Sequence, residues 1–368
     1  MDASSKFAII GGGWRAEFFL RAVAGLGGQV SCEGVTSRRP ERREELRQRF
    51  GVSTFGSIDE ALDRQLGFVV LAVAREQAVP VLEDVCTRST AAILLETPPG
   101  LEVADLKRAW ALSLGGARVQ VAEQYRWQPH HAARLAVLGE GVIGERHQAW
   151  VSVAHGYHGA SLLWEYLGAQ EADWQQVTVT ARKLVSPVSP GPGRTGPPAA
   201  GDLQPSERVI AVLSGGGKHG IYDFDGEQYF SEIRTQHVAV RGERGELRDD
   251  HLAYLPPGEH WRASHEDLVR IEGGRGADLT PLGLHEIRFQ GRPVYRKPAY
   301  MGILADEEIA IAECLCHMAS YAGGGAGFYT VERACRDRYL ELAIMASADQ
   351  GTSLQVGLDD WKGPTRSW

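Results

Sequence analysis

Phe7-Ala8-Ile9-Ile10-Gly11-Gly12-Gly13-Trp14-Arg15-Ala16 decides the reading of this chain. An apolar run breaks into three glycines and then into a helical pattern, Glu17-Phe18-Phe19-Leu20-Arg21-Ala22-Val23. The pattern predicts a strand, a tight turn and a helix N-terminus, with Gly11, Gly13 and Ala16 in G-x-G-x-x-G/A register. Gly11 permits the turn, Gly13 offers no side chain to block a pyrophosphate, and Ala16 lets the helix lie close to the strand. The unpaired N–H groups of the helix start then face the phosphates with a partial positive charge. Gly11, Gly13, Trp14 and Arg15 are therefore candidate dinucleotide-binding residues.

Composition sets the outer bounds. At 368 residues with 43% hydrophobic content, the chain is long enough for two domains with substantial cores. The net charge of −8 argues against a nucleic-acid partner. Cys32, Cys86, Cys314, Cys316 and Cys335 are scattered and odd in number, as expected of reduced thiols. With a polar start and no apolar run of membrane-spanning length, a cytoplasmic protein without membrane contact is expected. No asparagine occurs, which excludes N-glycosylation, and only six of the 39 basic residues are lysine. Arginine is thus the default base here, and its presence at a site says less than usual.

Strands and helices alternate beyond the turn. Val30–Thr36 reads as the second strand and ends in Ser37-Arg38-Arg39, where NAD-preferring domains usually carry a carboxylate for the ribose hydroxyls. A hydroxyl and two guanidiniums suit a 2′-phosphate, so NADP(H) is expected in preference to NAD(H). The alternative is that Arg38 and Arg39 merely begin an arginine-rich surface helix. Phe68–Val73 and Ala92–Leu95 are continuous apolar runs of the buried parallel kind, and Arg118–Ala122 closes the series. Ligands in such sheets bind beyond the carboxyl ends of the strands. Glu96, Thr97, Pro98 and Gln124 lie there and join the cofactor candidates, Pro98 with an unusual turn and an optional cis bond. Glu123, Tyr125 and Arg126 are candidates for substrate binding, or for a hinge where the first domain ends.

The order of these features resembles the Gfo/Idh/MocA family of nicotinamide-dependent oxidoreductases. The resemblance rests on the glycine turn, Ser37-Arg38, Glu96-Thr97-Pro98 at the place of Glu-Lys-Pro, and Val121–Pro129 at the place of a strand–loop ending in Arg-x-x-Pro. It implies an α/β protein: a doubly wound Rossmann domain over residues 1–122, then an α/β domain over 123–368 with a large, open, mostly antiparallel sheet. Residues 330–356 would form the helix that packs back toward the cofactor domain. It also implies hydride transfer to or from a sugar, polyol or related carbonyl compound, and a homodimer or homotetramer formed through the C-terminal sheet. The chemistry departs from the family pattern. Thr97 replaces a lysine that helps position and protonate the substrate oxygen, and Gly159 and Ser161 stand where a histidine and an aspartate are implied.

Acid–base work is then expected from Tyr157, His158 or His155, which follow the strand-like run Ala149–Ala154 at a strand-to-helix junction. Gly156 and Gly159 read as room for a close ligand. Two other readings remain: transient redox chemistry on a glycoside, and a dinucleotide-binding sensor without catalysis. No metal is expected, because no histidine, cysteine or carboxylate set has a metal-ligand spacing. Ser214–His219 lacks the Walker spacing and reads as a hairpin turn. The proline-rich stretch Ser186–Pro205 reads as a loop, with Arg194 and Thr195 as possible substrate contacts. From Val209 onward the chain is strand-rich, and Phe230–Arg234 is among the expected strands. Within Tyr222–Tyr229, Asp223 and Tyr229 face either a pocket or solvent.

Overall fold

The computed structural model describes residues 5–169, 174–193, 196, 201–273 and 283–364. Arg194 and Thr195 lie outside the described residues. The chain divides into two compact units: Met1–Ala132 with Arg270–Ile287 and Tyr295–Cys335, and Ala133–Val269 with Arg288–Val294 and Arg336–Trp368.

The first unit is built on six strands: β1 (Lys6–Ile10), β2 (Ser31–Thr36), β3 (Thr54–Phe55), β4 (Phe68–Leu71), β5 (Ala92–Leu95) and β6 (Val119–Val121). They alternate with helices α1 (Trp14–Ala24), α2 (Pro40–Phe50), α3 (Ile58–Leu62), α4 (Ala78–Arg88) and α5 (Val103–Leu114). The sheet is parallel throughout, in the order β3-β2-β1-β4-β5-β6. That is the doubly wound Rossmann order. Its strands are covered on both faces, and so β4 and β5 are buried at every position. Phe7 and Phe68 stack at 4.9 Å between adjacent strands. Beyond β6, the chain at 328–330 shields the sheet edge. Val121 N–H donates to the Tyr329 carbonyl at 2.9 Å, and Gln120 Oε1 accepts the N–H groups of Phe328 and Tyr329, each at 2.8 Å.

The chain continues through α6 (Pro129–Gly139), β7 (Arg146–Ser152), α7 (Gly156–Leu167), β8 (Gln176–Val188), β9 (Gln204–Gly215) and β10 (Lys218–Asp225). Next come β11 (His237–Gly242), β12 (Gly245–Arg248), β13 (His251–Tyr254), β14 (Ser264–Asp267), β15 (Val269–Gly273), β16 (Gly283–Phe289) and β17 (Arg292–Arg296). Helices α8 (Asp306–Ala322) and α9 (Val331–Gln350) and strand β18 (Leu354–Gly357) complete it. Nine strands form the sheet of the second unit, in the order β14-β13-β12-β11-β7-β10-β9-β8-β18. Only β7 and β10 run parallel within it. One face packs under α7, which is buried along nearly its whole length. The α/β class, the Rossmann sheet and the large, mostly antiparallel second sheet are thus as expected.

Two local expectations are corrected. Ser186–Val188 and Gln204–Pro205 are not loop but the outer end of the β8–β9 hairpin, with Pro187 opposite Pro205. That end is a two-stranded ribbon, so each proline has a side on which a missing N–H costs nothing. Phe230–Arg234 is a turn, not a strand: Phe230 and Ile233 are 43% and 73% exposed, and no core face rewards extension there. Ser214–His219 is a hairpin turn, with Gly216 and Gly217 between β9 and β10.

Candidate functional site

In the first unit the glycine turn carries two different demands. Gly11 has φ +112°, and a Cβ there would lie 2.3 Å from the Ala72 carbonyl oxygen, so only glycine fits. Gly13 has an ordinary extended backbone and caps α1, yet a Cβ built on it meets nothing within 4 Å. No side chain caps the helix. The first turn of α1 therefore opens on free space bordered by backbone N–H groups, the setting in which a phosphate is held. Trp14 is half exposed and meets Phe18 edge-on at 5.5 Å.

Arg15 turns away from that space. Its Nε donates to Glu96 Oε1 at 2.9 Å and its Nη1 to Glu307 Oε1 at 3.3 Å. Burial alone would lower the guanidinium pKa, but the two carboxylates hold it above its ordinary value. Arg15 thereby orients Glu96 at the end of β5. The Thr97 hydroxyl donates to the same carboxylate oxygen at 3.4 Å, and the Thr97–Pro98 bond is cis. Glu96 Oε2 is buried with no hydrogen-bond partner, and so is Oε1 of Gln124, just after β6. Leu95 and Val121 are register partners, so both acceptors extend from adjacent strand ends. Buried acceptors of this kind normally find a donor, and a ligand bringing an amide or hydroxyl hydrogen would satisfy them. Glu123 is fully buried and accepts the Tyr125 N–H at 3.0 Å, closing the turn at Tyr125–Trp127. Arg126 lies over the Trp127 ring at 4.8 Å.

At the end of β2, Ser37 is half-buried, while Arg38 and Arg39 are exposed and begin α2. Among the described residues neither guanidinium has a carboxylate partner. Three of their neighbours do: Arg42 pairs with Glu17 and Glu45, Arg47 with Glu44, and Arg49 with Glu17 and Glu45, while Arg43 donates to the Ser37 and Arg38 carbonyls. Arg42 also donates to the Gly12 carbonyl at 2.8 Å, tying α2 to the glycine turn. Nothing in the arginine-rich run 38–49 distinguishes Arg42 in advance, and Glu307 lies 292 residues from its partner Arg15.

In the second unit His155, Tyr157 and His158 stand at the start of α7. His155 caps the helix and is half-buried; Tyr157 and His158 are 1% and 7% exposed. The His155 and His158 rings meet edge-on at 5.1 Å, and Tyr157 meets His158 at 5.2 Å. Because β7 and β10 are parallel, both end on this side of the sheet, and β10 and the turn after it deliver Tyr222, which sequence reasoning left unassigned, and Tyr229, for which it left pocket or solvent open. Tyr222 accepts the Gly156 N–H at 2.8 Å. Tyr229 accepts the His155 N–H at 3.0 Å and also hydrogen-bonds His155 Nδ1. Asp223 faces Arg208 in a two-pronged ion pair, at 2.6 and 2.5 Å. The room at the two glycines is not ligand space. A Cβ on Gly156 would meet Glu341 at 2.1 Å and one on Gly159 would meet the Tyr222 ring at 2.4 Å, so these glycines admit the site's own side chains. Among the described residues no group of three histidines, cysteines, aspartates or glutamates could hold a metal ion, and no helix is long and apolar enough to cross a membrane.

Residues 5–122 match the model of the Gfo/Idh/MocA oxidoreductase family, NAD-binding Rossmann fold. No curated protein matches the sequence. Among solved structures, an oxidoreductase from Agrobacterium radiobacter, in complex with NAD+, L-tartaric acid and magnesium, is 18% identical. It aligns over 96% of this chain and 98% of its own, with a TM-score of 0.69. A levoglucosan dehydrogenase in complex with NADH and levoglucosan is 16% identical over 95% and 99%, with a TM-score of 0.67. A myo-inositol dehydrogenase from Corynebacterium glutamicum is 16% identical over 95% and 98%, with a TM-score of 0.63. At these identities the likeness is one of fold.

Proposed function

We propose that this chain, which belongs through residues 5–122 to the Gfo/Idh/MocA family of NAD-binding oxidoreductases, moves a hydride between NADP(H) and a sugar, polyol or related carbonyl compound. The observation that carries the reading is the open space before Gly13 at an uncapped helix start. A dinucleotide there would bring hydride chemistry at its nicotinamide. The chain's own residues would hold the pyrophosphate at α1 and meet a donor with Glu96 Oε2 and Gln124 Oε1. The solved structures with levoglucosan and the myo-inositol dehydrogenase support a polyhydroxylated substrate by analogy of fold. Arg126, Tyr125 and Glu123 are proposed on the substrate side. His155, with Tyr157 and His158 around it, is proposed to handle the proton. Five cysteines without a disulfide favour a reducing compartment such as the cytoplasm.

Preference for NADP(H) rests on Ser37, Arg38 and Arg39. Arg38 and Arg39 have no carboxylate partner among the described residues, whereas Arg42, Arg47 and Arg49 of the same run are paired and Arg43 donates to the Ser37 and Arg38 carbonyls, which favours an anion over the surface-helix reading. A charge-assisted bond contributes about 1.5–3 kcal/mol. Joint replacement Arg38→Ala and Arg39→Ala is thus expected to weaken NADPH about 100-fold or more while leaving NADH within about twofold. Nicotinamide fluorescence titration measures both. Equal affinities for NADPH and NADH in the native protein would overturn the preference. NADPH binding without oxidation by any sugar or keto compound would turn the reading toward the sensor.

A homo-oligomer through the second sheet is proposed as well. Ala239, Trp150, Ile221 and Val212 are register neighbours across β11, β7, β10 and β9, forming an apolar row on the face opposite α7. Trp150 and Val212 are 39% and 48% exposed, and Gln148, His219 and Ser214 form a polar row beside them. An apolar row with a polar border suits a second copy. Trp150→Asp should convert the assembly to monomers in sedimentation; an unchanged sedimentation coefficient would remove this face from the interface.

A further inference from the structure

Tyr229 is built to act through His155. It ends the short turn at Gly226–Tyr229, which Asp225 and Gln228 close as a reciprocal cap. Gln228 also donates to Ser152 Oγ at 2.9 Å, fastening the turn to the end of β7. The phenol oxygen is thereby held against both the backbone N–H and the Nδ1 of His155. An oxygen that already accepts an amide hydrogen is polarised to give up its own, and the acceptor in reach is Nδ1. The neutral imidazole then keeps its proton on Nε2.

We infer that Tyr229 is the positioning residue and proton relay of His155: its hydroxyl fixes the Nε2–H tautomer and supplies the proton that His155 passes to the substrate oxygen. This rests on the hydride-transfer reading above. A bound dinucleotide would supply the hydride for reduction, with the C=O π pair going onto the substrate oxygen. That oxygen takes the Nε2 proton, and the N–H pair stays on the ring. Nδ1 takes the phenol proton, and the O–H pair stays on Tyr229, where the His155 N–H meets the phenolate. Water restores the phenol afterwards. In oxidation each transfer reverses.

The groups facing His155 leave Tyr229 in this role. Tyr222 binds the next amide, and burial pushes its own ionisation well above the ordinary range, so it stays protonated. Glu341, on α9 beside Gly156, is paired with Arg338. His158 presents its ring edge-on.

Two measurements decide the matter. Ring nitrogen NMR of histidine-labelled native protein, with His155 assigned through His155→Gln, should show bare Nδ1 and protonated Nε2 at pH 8. Tyr229→Phe should lose that single tautomer. Native protein carrying Nδ1–H, or an identical pattern in the variant, would overturn the inference without any need for substrate. Under turnover, kcat of Tyr229→Phe should drop about 10–100-fold at pH 8. Its NADPH affinity should remain within about twofold. An unchanged kcat would also overturn the relay. Failure of the native protein to oxidise NADPH with any compound would instead strike the hydride-transfer reading, and the NMR result would still stand.

Discussion

Gly13→Asp is expected to abolish dinucleotide binding while leaving the fold intact. The backbone at Gly13 is φ −73°, ψ −177°, a conformation any residue adopts, and its Cβ would enter open space. Aspartate is a favoured helix cap, so melting should stay level or rise by a few tenths of a kcal/mol of stability. The same carboxylate would occupy the place of a phosphate and take up the N–H groups that α1 offers. NADPH and NADH should both weaken by about 100-fold or more, about 2.7 kcal/mol. Gly11→Ala gives the opposite pattern. At φ +112°, with the Ala72 carbonyl 2.3 Å from the added Cβ, it should melt early whether or not nucleotide is present. Fluorescence titration and thermal melting of the two variants separate a ligand-facing glycine from a backbone-facing one. Native affinity in Gly13→Asp would remove the turn from cofactor binding altogether.

What the sequence reveals about this fold follows from what is local. β1, β4 and β5 are legible because a strand buried on both faces is a continuous apolar run, and the turn after β1 is legible because one position needs positive φ. Strands β14 and β15, with the sequences Ser-His-Glu-Asp and Val-Arg-Ile-Glu-Gly, have no fully buried position and hence no pattern to read. The site was half legible for the same reason. The ends of β2, β5 and β6 follow from the alternation of elements, and with them Ser37–Arg39, Glu96 and Gln124. Their partners do not. Arg15 looks like a phosphate ligand beside the glycines, yet it meets Glu96, 81 residues away, and Glu307 beyond that. His155 and Tyr229 meet across 74 residues because β7 and β10 run parallel inside an otherwise antiparallel sheet. Gly156 and Gly159 announced a need for space, which Glu341 and Tyr222 fill.

His155→Gln should cost more turnover than any other single change in the second unit. Of the three side chains at the start of α7, His155 alone is only half-buried, and its Nδ1 is tied to Tyr229. Tyr157 and His158 are almost wholly covered. Glutamine preserves size and can still donate a hydrogen bond to an oxygen, but it has no proton to release near neutral pH. The expected loss in kcat is about 10²–10⁴-fold, the usual contribution of a positioned acid or base. That is about 2.7–5.5 kcal/mol of the barrier. NADPH affinity should not move, because the nucleotide is proposed to lie on Gly11, Gly13 and the strand ends of the first unit. His158→Gln and Tyr157→Phe should each reduce kcat less than about tenfold, acting through the packing of the His155 ring. A larger loss in Tyr157→Phe or His158→Gln than in His155→Gln would move the proton to that residue, and would detach the role of Tyr229 from catalysis with it.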